Sequence, residues 1–92
     1  MAQIPVRERI ARYVVAYLVF RRNDPVWNNK VYQDLYAKYP KHVTFKMVCS
    51  VLRNKRVFED MTPSGKGRFG RQYRIRPAIY IEDSELIVRM FF

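Results

Sequence analysis

The hydrophobic period of this chain changes once, and that change bounds the fold. From Val6 to Asn54 apolar residues recur at helical spacing; from Val57 to Arg76 they follow the two-residue period of strands. A helical half followed by a strand half, in 92 residues, predicts one α+β domain with a thin core of about two packed layers.

The helical half divides into three. Pro5 suits a first helical position, where its missing N–H does no harm. Val6, Ile10, Tyr13, Val14, Tyr17 and Phe20 form one stripe, while Val15, Leu18 and Val19 point away from it, so this helix needs cover on both sides. Arg21-Arg22-Asn23-Asp24-Pro25 ends it, and Val26-Trp27 is a short extended piece with Trp27 expected as a core anchor. Asn28 or Asn29 is expected to cap a second helix from Lys30 to Tyr39, with Val31, Leu35 and Tyr39 inward and Pro40 as its stop. Thr44 is the cap candidate for a third helix, Phe45 to about Asn54. Phe45, Val48, Cys49 and Leu52 are expected on its inner face; Lys46, Met47, Ser50 and Asn54 lie opposite, with Arg53 at the edge.

The strand half reads as a hairpin. Val57 to Met61 is the first strand, Thr62 to Gly70 a turn-rich tip holding all three glycines, and Arg71 to Arg76 the second strand, closed by Pro77. The tail from Ala78 to Phe92 has two readings. Ser84 is a cap candidate for a short helix, but the β-branched and aromatic content favours two strands. The expected organisation is a single domain over residues 1–92, with its core in 5–77 and an extension in 78–92.

Charge narrows the function. Lys and Arg number 18 against 8 Asp and Glu, a net charge of +10. Ten of those cations, but only two of the acids, lie between Lys41 and Arg76, so this stretch carries +8. A field so concentrated, interleaved with Gly and Ser that allow close approach to phosphate, points to nucleic acid ahead of an anionic membrane. A merely solvated surface would spread its charge more evenly.

Other classes drop out. Cys49 and His42 are single, which excludes an internal disulfide and a Cys/His metal site. The acidic residues form no metal-ligand or paired-carboxylate pattern. No enzyme, metal, cofactor or small-molecule substrate is therefore expected. Gly65-Lys66-Gly67-Arg68-Phe69-Gly70 matches the dinucleotide-binding glycine motif by letter, but a strand pattern follows it where a helix is required. The longest apolar run, Tyr13 to Phe20, is too short to span a bilayer, and the first nine residues lack a secretory layout. An intracellular protein is expected, in cytoplasm or nucleoid, or in the nucleus or host cell of a eukaryotic or viral system.

The order of elements, the spacing of Phe45, Val48 and Leu52, and the basic passage Arg53-Asn54-Lys55-Arg56-Val57-Phe58 make residues 6–76 resemble the winged helix-turn-helix superfamily. The connection from Pro40 to Val43 departs from simple helix-turn-helix units in lacking a turn glycine. The resemblance implies three helices followed by a β-hairpin wing, double-stranded DNA as partner, and transcriptional regulation as role. It places Lys46, Met47, Ser50, Arg53 and Asn54 in the major groove, with Thr44 at the helix start. Lys66, Arg68 and Arg71 of the wing would meet the neighbouring backbone, and Lys55, Arg56 and Arg74 would add to phosphate neutralisation. The alternatives are a structured-RNA binder of the kind found in ribosomal particles and a protein-interaction module. The uncovered side of the first helix and the Phe91-Phe92 end together predict a homodimer through that helix and Ile79 to Phe92.

Overall fold

The computed structural model describes residues 6–92, apart from the side chain of Phe69. The placement expected for Pro5 lies outside them. Four helices, α1 (Val6–Phe20), α2 (Asn28–Lys38), α3 (Phe45–Leu52) and α4 (Ser84–Phe91), accompany three short strands, β1 (Val26–Trp27), β2 (Phe58–Asp60) and β3 (Gln72–Ile75). The strands form an antiparallel sheet in the order β1-β3-β2, so the fold is α+β. Among the described residues, no helix is long and apolar enough to cross a membrane.

Each junction has a local cause. Arg22 and Asn23 take left-handed φ values of 57° and 62° after α1. The Asn23 N–H donates to the Leu18 carbonyl at 2.8 Å, a six-residue closure that satisfies the helix end. The Asn23 amide then bonds both backbone groups of Ile75, accepting from its N–H at 2.7 Å and donating to its carbonyl at 2.8 Å. One side chain thus extends the β1 ladder along β3 and fixes the end of α1. Thr44 caps α3 as expected, its hydroxyl oxygen accepting from the Met47 N–H at 3.2 Å. The turn before it closes without glycine, through His42 and Val43 N–H groups donating to the Tyr39 carbonyl.

The core gathers residues from all four helices and all three strands. Ile10, Val14, Leu18, Val31, Leu35, Val48, Leu52, Phe58, Ile75 and Ile87 are each at most 4% exposed, and among the described residues no polar or charged residue is buried with them. Val26, rather than Trp27, supplies the β1 contribution; Trp27 is half-buried on an edge strand, so the expected anchor is displaced by one residue.

The tail corrects the sequence reading most. It forms a helix, not two strands. Asp83, rather than Ser84, is the cap, its carboxylate accepting from the Leu86 N–H at 3.1 Å. Ile87 and Val88 are buried, and Phe91 packs against the core one turn later, so the β-branched residues are spent on a helix face directed at α1. Arg12 of α1 reaches Glu85 at 2.6 Å and Glu8 at 3.5 Å, tying the two helices at the surface. Ile87 and Val88 of the segment 78–92 thus join the core. Val15 and Leu18, two of the residues on the first-helix side expected to need further cover, are fully buried within one chain.

Candidate nucleic-acid interface

The capped start of α3 sets which side of the helix faces out. Val48, Val51 and Leu52 are buried, and Met47 packs on the core edge. The outward side therefore carries Lys46, Cys49, Ser50 and Arg53, with Lys46 and Arg53 exposed and the other two half-buried. Three expectations change here. Met47, expected outward, packs on the core edge, at a cleft that it lines with Val6, Ile10, Lys46 and Ser50. Phe45, expected inward, is 45% exposed and meets Tyr32 edge-on at 5.6 Å. Cys49, also expected inward, is half-buried on the outward side.

Arg53 lies within electrostatic reach of the Cys49 thiol and of Tyr73 on β3, and Arg71 acts on the same Tyr73. Burial pushes the Cys49 thiol up, against the pull of Arg53. Burial and Asp60 together raise the Tyr73 phenol, which remains a neutral donor.

Asn28 joins this surface although the sequence gives it no role beyond a cap. Its Nδ2 approaches Cys49 Sγ at 3.7 Å, its Oδ1 accepts from the N–H of Asn29 at 2.8 Å, and its own N–H donates to the Arg71 carbonyl at 2.8 Å. Gly70 makes room for it: at φ 110°, a Cβ there would stand 2.7 Å from Asn28 Oδ1. No pattern in the sequence links residues this far apart. The start of α2, the outer half of α3 and the hairpin are thereby held as one surface.

The hairpin cations divide into groups. Arg74 pairs with Glu59 directly across the strands at 2.8 Å, and Arg71 lies 3.7 Å from Asp60. The Thr62 hydroxyl bonds Asp60 and holds its carboxyl below the usual range, so that acid stays charged beside Arg71. Lys66 and Arg68 are exposed at the tip, around a 3₁₀ turn at Gly67–Phe69; this is a loop and not the start of a dinucleotide-binding helix. Lys55 and Arg56 are exposed at the hairpin base, where Arg76 Nε donates to the Lys55 carbonyl.

Two residues expected to face a groove have other work. The Thr44 hydroxyl is engaged as a cap. Asn54 Oδ1 accepts from the Arg56 N–H at 3.1 Å, and its carbonyl takes the N–H groups of Val57 and Phe58. Asn54 belongs to the turn and lines a hollow with Arg7, Phe91 and Phe92, away from the outward side of α3.

What this surface offers is cations, amide and hydroxyl donors and apolar edges. Among the described residues, no three His, Cys, Asp or Glu side chains gather where a metal ion could be held. No family model, curated protein or solved structure matches the chain.

Proposed function

We propose that this chain is a winged-helix protein that binds double-stranded DNA through α3 and the β2–β3 hairpin, and that it regulates transcription. One observation carries the reading. The segment with net charge +8 folds into an exposed helix face and a hairpin joined by Asn28, which approaches Cys49 of α3 and donates to the Arg71 carbonyl. Three helices, then a hairpin, with strand order β1-β3-β2, support the winged-helix assignment. In this mechanism the outer face of α3 enters the major groove, where Ser50 and Arg53 meet base edges and Lys46 meets phosphate. Lys66 and Arg68 at the wing tip and Lys55 and Arg56 at its base hold the backbone and release counterions.

Fluorescence anisotropy with duplex DNA, duplex RNA and single strands tests it. Duplex DNA should bind tightest, because the deep, narrow major groove of A-form RNA does not admit a helix. Arg53→Ala should cost about 1–3 kcal/mol, whereas Asn54→Ala should leave affinity and sequence preference unchanged. Tighter binding to duplex RNA, or a loss at Asn54 with none at Arg53, would contradict the docking.

A further inference from the structure

Phe45 stands where the core does not account for it. It opens α3, directly after the cap Thr44, and is 45% exposed. It belongs neither to the buried cluster nor to the residues packed against that cluster. Its contact is with α2, where it meets the Tyr32 ring edge-on at 5.6 Å. Tyr32 is itself packed on the core, with the Tyr36 ring 5.5 Å away.

This contact places Phe45 on the candidate interface. Phe45, Cys49 and Arg53 follow one another at four-residue intervals, so they form one ridge along α3. Asn28 and Tyr32 form the facing ridge of α2: Asn28 meets Cys49 at 3.7 Å and Tyr32 meets Phe45. Asn28 also donates to the Arg71 carbonyl of the hairpin at 2.8 Å. The surface that joins the hairpin to α3 therefore continues to the start of the helix and ends there on an aromatic ring.

That ring differs in kind from its neighbours. Lys46, Ser50 and Arg53 offer N–H and O–H donors, whereas Phe45 offers apolar surface alone. The major-groove edges of the base pairs present acceptors, donors and one apolar group, the C5-methyl of thymine. In a recognition helix the N-terminal residues are those that reach base edges. An exposed ring on the first turn of α3 thus has one apolar complement in the groove.

We propose that Phe45 is a specificity-determining residue that packs on the C5-methyl group of a thymine in the major groove. The proposal rests on the duplex-DNA reading of α3, and it names a feature of the sequence that α3 selects.

A duplex enriched from a random pool by the full chain supplies the site. Fluorescence anisotropy then compares that duplex with copies carrying deoxyuridine in place of thymine, one position at a time. Deoxyuridine keeps the hydrogen-bonding groups of thymine and lacks only the methyl. At one position the replacement should weaken wild-type binding about fourfold, the worth of one methyl group taken from water. Phe45→Ala should bind the thymine and deoxyuridine duplexes alike, at the weaker of the two wild-type affinities. Phe20→Ala, which removes an 88% exposed ring at the end of α1, should discriminate as wild type does. Unchanged thermal melting verifies that the variants fold. Duplex binding with no difference between thymine and deoxyuridine at any position overturns the proposal and leaves the duplex reading standing. So does a difference that survives Phe45→Ala or is lost in Phe20→Ala. Failure to bind any duplex overturns the duplex reading and this proposal with it.

Discussion

Raising the salt from about 50 to about 200 mM should weaken duplex DNA binding by about a thousandfold. The size follows from the number of exposed cations on α3 and the hairpin. Arg71 and Arg74 are engaged with Asp60 and Glu59. Lys46, Arg53, Lys55, Arg56, Lys66 and Arg68 are exposed on α3 or on the tip and base of the hairpin. Six phosphate contacts at about −0.9 each give a slope near −5 in log affinity against log salt. Substituting Arg74 should change that slope little, because Glu59 already balances its charge. A slope shallower than about −2 would mean that few of these cations touch phosphate.

Replacing Ile87 by Ala should cost about 2–5 kcal/mol. Ile87 is fully buried between α4 and the rest of the core, and its loss leaves a cavity that surrounding helices cannot all close. For a domain of this size, thermal melting should fall by roughly 10 °C or more. Met90 on the same helix is 61% exposed, and Met90→Ala should change stability by less than about 0.5 kcal/mol. Equal effects at the two positions would mean that α4 does not dock on α1 as described. The Arg12–Glu85 pair contributes little beside this burial, since it lies at the surface, where solvent screens it.

The tail also marks where sequence reasoning failed and why. Ile87, Val88, Phe91 and Phe92 have strand-forming side chains, and local preference favours strands there. The capping bond from Asp83 and the burial of Ile87 and Val88 against α1 outweigh it; the cap lies within the segment, but the packing partner does not. In α3 the elements were legible: Thr44 caps, and Val48 and Leu52 face inward. The azimuth was not. The buried side is centred nearer Val48 and Val51 than the Phe45–Leu52 stripe implies, a rotation of about 70°, less than one residue step. That is enough to bring Cys49 outward and take Met47 inward. The rotation is set by packing against α1, which spacing within α3 cannot report.

The candidate surface divides in the same way. Lys46, Ser50, Arg53, Lys66 and Arg68 were legible as charge or polarity on a helix face and a glycine-rich tip. The ion pairs of Arg71 and Arg74 required the strand register, which places Glu59 opposite Arg74. Asn28 required the close approach of α2 to Gly70, a contact that no local pattern encodes.

The most direct test of the DNA-binding account is an amide chemical-shift titration of the isotopically labelled protein with a short duplex DNA at low salt. Shifts should concentrate at Lys46, Cys49, Ser50 and Arg53 of α3, at Asn28, and at Lys66 to Arg71 of the hairpin, with α4 and the α1–α2 cleft unmoved. Shifts centred on the α1–α2 cleft or on α4, with α3 and the hairpin tip silent, would contradict it.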